Sequence, residues 1–593
     1  MGNKKLIILT LIGVLILTAI VLSPVLSNRF VWDDFEYIVR NETLAKKFPE
    51  AVKYYFDQNY FVGNYHPLTM IGFSMEYNHA KLNPEFYHKV NWLIHLLNVA
   101  LVFWFIFLLA NRKVWVAAVV SLLFGIHPLH VESVAWISEL KDVLFAFFYL
   151  SGLIVYLYYY NTNGFKKYFL FISCLILFVL SLLSKPAAVS FPLTLMVLDY
   201  YLKRKLSFSL VAEKIPFLIG SVILGFITIK AQGTAVSSLE QFNLLERIML
   251  SAYAFLHYFY KLFIPINLSA FHPFPMRTDG QFPLMFLIAP ILVIILILLF
   301  IKYFRHNRLF VFGLLFFIVN IVLVLQFITV GMTVTSERYT YLPYLGLFFV
   351  IAMWLSEYRD KKILSFSARY LALGFVACII VIFACTSYSR AKVWKSNKTL
   401  WADVVKKYPQ CATAHYNLGA YYFKEEINDA FALTSFNNTL KHDPRYIKAL
   451  VNRGIIYTRM KEFAKAEIDF NNAIALDPAF SETYKNYGVL HNFMGNYQKA
   501  VEDYNAYLKL EPKSHDIYFG RGMTLYQLKQ YQLAADDFSK AIELDQKKSQ
   551  YWILKSMALQ AIGQRDEAIK CALKAQELGE VLDPAYKQTL NIQ

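Results

Sequence analysis

The sequence predicts an all-α protein in two parts, a polytopic helical membrane domain over residues 1–389 and an α-solenoid over residues 390–593. Three observations lead to this fold class. Hydrophobic residues make up 57% of the chain and charged residues only 17%, against about 25% charged residues in soluble domains. Apolar runs long enough to cross a bilayer recur through the first part. In the second part, alanine, glycine, aromatic and proline positions return every 34 residues.

Eleven apolar runs predict about eleven membrane spans. They cover residues 5–26, 90–110, 114–126, 143–160, 166–183, 187–201, 214–230, 283–301, 309–330, 340–357 and 368–387. Residues 247–264 carry His257 and Lys261, and we interpret this segment as a re-entrant or interfacial helix. With a cytoplasmic amino end, the loops rich in Lys and Arg, such as 203–205, all fall on the cytoplasmic side, as the positive-inside rule requires. The carboxyl end is then outside.

Charge and cysteine content exclude several classes of function. The net charge of +17 lies mostly in the membrane half, where cytoplasmic loops explain it, and no basic cluster with interleaved aromatics indicates nucleic-acid binding. None of the five cysteines forms a CxxC pair, which argues against a disulfide framework or a zinc site. Only Cys411 and Cys571 lie outside apolar runs and could face solvent.

Three polar stretches share the outer face in this layout. The loop 27–88 contains the adjacent acids Asp33 and Asp34, and the other two stretches are 127–142 and 336–339. Their convergence predicts a site that combines acidic and basic side chains.

The second span carries a polar face. His88, Asn91, His95 and Asn98 are spaced by three, four and three residues, which places them on one side of a helix. Polar groups at membrane depth face the bundle interior or a cavity. They are either interhelical hydrogen-bonding groups or substrate-facing groups.

The carboxyl-terminal part predicts five helix–turn–helix repeats near residues 413–446, 447–480, 481–514, 515–548 and 549–582. The repeating columns are Ala432, Ala466, Ala500, Ala534 and Ala568; Gly454, Gly488 and Gly522; Phe436, Phe470, Tyr504 and Phe538; and Pro444, Pro478 and Pro512. This is the tetratricopeptide signature, and stacked repeats of this kind form a surface for extended peptides or partner proteins. A further helix at 394–409 is expected to couple the repeats to the last span.

Taken together, these motifs resemble the transmembrane and tetratricopeptide repeat-containing O-mannosyltransferases, a family of the C-type glycosyltransferase (GT-C) fold. The matching residues are Trp32-Asp33-Asp34, His66-Pro67-Leu68, the His88–Asn98 face, His127-Pro128-x-His130-x-Glu132-Ser133-Val134-Ala135, Glu337-Arg338-Tyr339-x-Tyr341-Leu342-Pro343 and the repeats. One departure concerns Glu139-Leu140-Lys141-Asp142, where the family leads us to expect a sequence like Arg-Ala-Asp. Lys141 is a point charge without the fork of an arginine.

The resemblance implies a lipid-phosphate sugar donor, and the chemistry of transfer then assigns roles. Asp33 or Asp34, with Asp34 slightly favoured, is the general base for an acceptor hydroxyl. Arg338, helped by Lys141, binds the donor phosphate. The sugar and acceptor pocket is expected to include His66, His88, His127, His130, Glu132 and Glu337. This logic requires no metal or other cofactor, although Asp33, Asp34 and nearby histidines are compatible with a divalent ion.

The sequence therefore predicts an inverting, membrane-bound hexosyltransferase that moves a sugar, mannose by resemblance, from a polyprenyl or dolichyl phosphate to Ser or Thr of exported proteins. The repeats would hold the acceptor or a partner, and no nucleic acid is involved. Two alternatives stay open: transfer to a surface glycan or lipid, and a non-catalytic membrane anchor for the repeats. Composition favours a bacterial inner membrane with the catalytic loops and repeats in the periplasm, with the endoplasmic reticulum and lumenal repeats as the alternative.

Overall fold

The computed structural model describes residues 2–57, 61, 63–231, 242–277, 282–327, 331–358, 362–363 and 366–592. The chain forms two compact units, Met1–Pro409 and Gln410–Gln593. The boundary lies twenty residues beyond the predicted one. Residues 390–409 belong to the first unit because Trp394 and Trp401 are buried there, against the rings of Trp136 and Trp32 respectively.

Helices dominate the described part of the first unit. They are α1 Gly2–Val21, α2 Phe48–Phe56, α3 Pro67–Ala80, α4 Pro84–Leu109, α5 Val114–Ile126, α6 Val131–Ala135, α7 Leu140–Tyr160, α8 Phe165–Ser184, α9 Phe191–Tyr201, α10 Phe208–Ala212, α11 Ile215–Ala231, α12 Leu244–Lys261, α13 Leu284–Phe304, α14 Arg308–Ile321, α15 Tyr344–Tyr358, α16 Ala368–Val393 and α17 Asn397–Lys407. Two short antiparallel strand pairs accompany them, His272–Pro273 with Thr333–Thr335 and Lys362–Ile363 with Phe366–Ser367.

Seven helices of the described residues are long and apolar enough to cross a membrane, and an eighth crossing is possible if α5 and the bent Pro128–Ala135 segment count as one span. Two further predicted spans correspond to shorter apolar helices, Arg308–Val324 and Tyr344–Glu357. The first unit is thus an integral membrane domain.

The predicted span at 187–201 differs most from the structure. A 3₁₀ turn over Pro186–Ser190 precedes α9, which has only 11 residues. Prolines at 186 and 192 explain this, because a proline starts a helix easily and cannot continue one. Helix α12 occupies the predicted interfacial segment and does not meet the criteria for a span.

A buried ionic network joins α7, α9 and α11 at the end of the bundle that carries the basic loop 203–205. The hydroxyl of Tyr156 lies within 2.9 Å of Asp199 and Glu213, and Arg204 and Lys214 pair with both acids. Arg204, which belongs to the basic loop used above as a topology signal, therefore also holds helices together.

The second unit consists of helix pairs. The helices are α18 Ala412–Lys424, α19 Asp429–His442, α20 Ile447–Arg459, α21 Phe463–Leu476, α22 Ser481–Phe493, α23 Tyr497–Leu510, α24 His515–Gln527, α25 Tyr531–Leu544, α26 Ser549–Ala561, α27 Arg565–Glu577 and a closing α28 Pro584–Leu590. They match the five predicted repeats.

Close helix packing explains the repeating columns. The five alanines of the 34-residue column are fully buried. A Cβ at Gly454 would lie 2.8 Å from the ring of Phe470, so the glycine lets an aromatic ring of the second helix approach the first.

The five cysteines are free thiols, but Cys411 and Cys571 are buried while Cys378 and Cys385 are exposed. Cys411 and Cys571, the two cysteines that the sequence allowed to face solvent, are thus turned inward, at the N-cap of α18 and within α27.

Candidate active site

The two adjacent acids after α1 have different surroundings. Asp34 is fully buried. Its Oδ1 accepts hydrogen bonds from the Ser138 N–H (2.8 Å) and hydroxyl (2.5 Å), and its Oδ2 accepts one from the Val31 N–H (2.9 Å). Burial raises the pKa of Asp34 to about 7, although these hydrogen bonds act to lower it. Asp34 thus ties the loop after α1 to the segment before α7.

The carboxylate of Asp33 lies in a different environment from that of Asp34. Its carboxylate is half-buried and, within the described part of the chain, has no hydrogen bond or ion pair. Burial raises the pKa of Asp33, and the positive charges of Lys141 and Arg338 partly oppose the shift. Asp33 is therefore a half-buried carboxylate whose charge interacts with two nearby cations.

Trp32 holds the loop in an unusual backbone conformation. Its φ of +50° is in the left-handed region, which a bulky side chain rarely occupies. The Trp32 N–H donates to Asn397 Oδ1 (2.9 Å), its ring stacks on Trp136 at 4.6 Å, and Trp401 packs edge-on at 5.0 Å. Backbone strain of this kind persists where surrounding contacts over-determine it, often at functional sites.

Two buried carboxylates hold the predicted phosphate-binding arginine. Arg338 Nη1 donates to Glu132 Oε1 (2.5 Å), and Arg338 Nε lies 3.1 Å from Glu139 Oε1. The guanidinium also lies 5.2 Å from the ring of Trp136. Lys141 pairs with Glu139 at 3.1 Å. The structure thus brings together the acid loop, the 127–142 stretch and Arg338, three regions predicted to converge.

The sequence interpretation missed Lys185. This lysine follows α8, pairs with Asp142, and lies 5.6 Å from the ring of Tyr339. Asp142 also accepts a hydrogen bond from the Ser133 hydroxyl at 3.1 Å. The available signal was a lone lysine between apolar helices, since charged residues at such positions usually have a functional partner.

The predicted pocket histidines divide into two kinds. His127 contacts the carbonyl of Leu262 (3.3 Å) and accepts from the Leu129 N–H, and His130 contacts the carbonyls of Phe124 (2.8 Å) and Thr340 (3.3 Å). Both rings are therefore occupied by backbone groups, and their local role is to fix the turn before α6.

His66 and His88 keep unpaired nitrogens. Nε2 of His66 and both ring nitrogens of His88 are buried without hydrogen-bond partners in the described residues. His66 occupies the N-cap position of α3 without a capping hydrogen bond from its side chain, and its ring lies 5.6 Å from that of Tyr37. Burial, reinforced by the charge of Lys141, lowers the pKa of His66 to about 3, so this ring is neutral and can accept or donate one hydrogen bond.

The polar face of α4 serves mainly as interhelical contact. Asn91 donates to the carbonyls of Trp136 and Ile137, Asn98 donates to the carbonyl of Val143, and His95 Nδ1 lies 2.7 Å from the Tyr341 hydroxyl. Of the two interpretations of this face, the structure favours hydrogen bonding between helices for these three residues.

Glu337 extends the charged cluster toward α16. Its Oε1 accepts from the Ser269 N–H (2.5 Å), and its Oε2 lies 3.5 Å from Arg390 Nε. The backbone N–H of Glu337 donates to Glu132 Oε2 at 3.1 Å, so it helps to hold the carboxylate that pairs with Arg338. Among the described residues, no group of three or more His, Cys, Asp or Glu side chains is arranged to hold a metal ion.

Fold and site together define an integral membrane protein that carries tetratricopeptide repeats and a buried acid–base cluster. Models of the tetratricopeptide repeat family match residues 447–480, 493–549 and 549–578. The chain is 24% identical over 468 residues to a Caenorhabditis elegans protein O-mannosyl-transferase, covering 73% of this chain and 63% of the relative. It is 31% identical over 151 residues to the human protein O-mannosyl-transferase TMTC2, covering 24% of this chain and 18% of the relative.

These relatives confirm the resemblance to the transmembrane and tetratricopeptide repeat-containing O-mannosyltransferases. The match spans less than two thirds of the length of either relative. Among solved structures, MamA is 21% identical with a TM-score of 0.26, over 27% of this chain and 94% of that chain.

Proposed function

We propose that the protein is an inverting glycosyltransferase that moves mannose from a polyprenyl phosphate to Ser or Thr hydroxyls of exported proteins. The names of its relatives, protein O-mannosyl-transferases, support the sugar and the acceptor class. The observation that carries the proposal is Asp33: a half-buried carboxylate, unpaired among the described residues, with a raised pKa beside Lys141 and Arg338.

Asp33 acts as the base and Asp34 positions it. The Asp33 carboxylate takes the proton of the acceptor hydroxyl while the hydroxyl oxygen attacks the anomeric carbon. The bond between that carbon and the donor phosphate breaks, and the lipid phosphate leaves. Asp34 already accepts three hydrogen bonds, which suits an anchoring role better than proton transfer.

Arg338 and Lys141 stabilise the negative charge of the leaving phosphate. Preorganised cations in a site shielded from water stabilise developing charge strongly. Both cations are already held by Glu132 or Glu139, so they need little reorganisation during the reaction. The neutral ring of His66 provides a hydrogen-bonding group for the sugar or the acceptor.

The repeats, the side of the membrane and the metal requirement complete the proposal. The repeats bind the acceptor protein or a partner, because the tetratricopeptide fold offers an extended binding surface. The catalytic loops and the repeats lie on the exoplasmic side, in the periplasm of a bacterium. The proposed reaction requires no metal, since Arg338 and Lys141 can stabilise the leaving phosphate themselves.

An in vitro transfer assay tests this function. Purified protein is given a panel of polyprenyl phosphate sugars and a Ser/Thr-containing protein acceptor, with and without EDTA. We expect mannosylated acceptor that depends on the lipid phosphate and persists in EDTA, and loss of product in Asp33→Asn. Glu36→Gln is the matched control, because Glu36 is an exposed acid in the same loop, paired with Arg40.

Three other results of this assay would each contradict part of the proposal. Product on a glycan or lipid but not on protein would contradict the acceptor class. Full activity of Asp33→Asn would contradict the catalytic assignment, and no transfer with any donor in the panel would favour a non-catalytic protein.

A further inference from the structure

A cleft lies between α2, α3 and the start of α4, among residues that the site described above does not use. Its volume is about 760 Å³, which is within the range of ligand-binding pockets. The walls are mainly apolar, from Phe48, Ile71, Met75, Phe86 and Val90. Phe48 and Met75 are each 57% exposed, so two large apolar side chains remain uncovered at this cleft.

One carboxyl group lines this apolar cleft. Glu76 on α3 is only 6% exposed. Among the described residues it has no ion pair and no hydrogen bond, and burial raises its pKa well above the usual range. A carboxyl group set in an apolar wall without a protein partner keeps its hydrogen-bonding capacity unused, so a ligand in the cleft can bond to it.

The position of the cleft indicates the source of this ligand. Helix α4 begins at Pro84 and is one of the candidate membrane spans. Phe86 and Val90 lie on its first two turns, and Leu93 and Leu97 continue the same helical face at spacings of three and four residues. Leu93 and Leu97 are 53% and 52% exposed. The cleft therefore continues into an uncovered apolar stripe of a membrane span.

Charge narrows the choice of occupant. Among the described lining residues, Lys47 carries a permanent positive charge, and it is an exposed residue directly before α2. Within the described residues Lys47 has no ion pair. A molecule that fills the cleft then has an apolar chain, a hydrogen-bond acceptor at the depth of Glu76, and a negative group near Lys47. A membrane glycerophospholipid has these three parts: an acyl chain, an ester carbonyl and a phosphate.

We propose that the cleft binds one glycerophospholipid, with an acyl chain along Phe86, Val90 and Leu93, its ester carbonyl at the Glu76 carboxyl, and its phosphate near Lys47. The Glu76 hydroxyl donates the hydrogen bond to the carbonyl. This site is separate from the donor chemistry at Arg338 and requires no transfer reaction for its detection.

Photolabelling of the full-length protein tests the proposal. The protein is reconstituted in vesicles of phosphatidylcholine and phosphatidylglycerol that contain a phosphatidylglycerol with a diazirine in one acyl chain. After irradiation, labelled peptides are mapped by mass spectrometry. We expect labelling of residues 71–79 and 86–93 to exceed by several-fold that of α13, whose side chains are mostly exposed apolar residues.

Variants distinguish labelling by a lipid bound in the cleft from labelling by bulk lipid. Val90→Trp fills the cleft and should reduce labelling of 71–79 several-fold, and Glu76→Leu should do the same by removing the donor. Glu76→Gln keeps an N–H donor and should retain labelling. Ile294→Trp on α13, where Ile294 is 57% exposed, is the control and should leave the pattern unchanged. Should Glu76→Leu fail to fold, Val90→Trp still decides the question.

Two results would overturn the proposal. Labelling of the cleft equal to that of α13, or unchanged in Val90→Trp, would mean that no specific lipid binds. Competition by an unlabelled polyprenyl phosphate but not by unlabelled phosphatidylglycerol would assign the cleft to the prenyl chain of a donor instead.

Discussion

Ser138 gives two hydrogen bonds to the same oxygen of Asp34, one from its backbone N–H at 2.8 Å and one from its hydroxyl at 2.5 Å. The two residues are 104 positions apart in the chain. This contact fixes the loop after α1 against the segment that leads into α7. The Asp34 carboxyl is thereby used in structural hydrogen bonds, while the carboxylate of its neighbour Asp33 has no such partner among the described residues.

The first prediction distinguishes Asp33 from Asp34 by the effect of their substitution on the free energy of unfolding. Ser138→Ala and Asp34→Asn should each lower the free energy of unfolding by about 1–3 kcal/mol, because the first removes one hydrogen bond to the buried Asp34 carboxyl and the second sets an N–H donor against a backbone N–H donor. Asp33→Asn should leave the unfolding temperature unchanged and lower transfer by about 10²–10⁴-fold, the usual contribution of a general base. Thermal unfolding in detergent and the transfer assay measure these effects. Loss of stability in Asp33→Asn with normal stability in Asp34→Asn would reverse the assignment.

The second prediction concerns pH. A base must be deprotonated to work, so transfer should rise with pH through the pKa of Asp33, which burial places above the ordinary value of 3.8. Lys141 is the cation that opposes this shift most. Lys141→Met should therefore raise the pKa of Asp33 further and move the acidic limb of the rate profile to higher pH. Lys89→Met is the control, because Lys89 forms an exposed pair with Glu85. An unmoved or acid-shifted limb in Lys141→Met would contradict Asp33 as the base.

The sequence was enough to predict the two-part fold, the repeats and the convergence of three polar regions, because periodicity, apolar length and motif order reflect fold directly. It was not enough to separate Asp33 from Asp34, since neighbouring acids differ only through their tertiary partners. The same limit explains why the sequence placed His127 and His130 in the pocket. Their rings contact backbone carbonyls up to 210 residues away, and the sequence does not show those contacts. Lys185 was missed because nothing in the sequence pairs it with Asp142, and the length of α9 was overestimated because apolar composition continues through its prolines.

The third prediction concerns Arg338. Arg338→Met should lower the free energy of unfolding by about 3–5 kcal/mol, since it leaves the buried carboxylate of Glu132 without its cation and that of Glu139 with Lys141 alone. Adding Glu132→Gln removes one of these charges and should restore part of the stability while transfer stays absent. Chemical unfolding and the transfer assay are measured on the single and double variants. Recovery of transfer in the double variant would show that Arg338 acts only through folding.

The fourth prediction concerns the helix that precedes the repeats. Trp401 on α17 packs against Trp32, which holds the Asp33 loop with a positive φ. Trp401→Ala should lower kcat of transfer with little change in KM for the donor, because small displacements of a catalytic group are costly. Trp401→Phe keeps an aromatic ring and should recover most of kcat. An increase in KM with normal kcat in Trp401→Ala would point to donor binding rather than to positioning of Asp33.

The fifth prediction tests the sidedness of the chain. Val581 after α27 is 92% exposed and Leu206 in the basic loop is 84% exposed, so cysteines at these positions are accessible to a membrane-impermeant maleimide. The exposed Cys378 and Cys385 are first replaced by alanine. In bacterial spheroplasts, Val581→Cys should be labelled in intact cells and Leu206→Cys only after lysis, because an odd number of crossings separates the basic loop from the repeats. Equal accessibility of both positions in intact cells would mean an even number of crossings between them, and one of the two short helices α14 and α15 would then not span the bilayer.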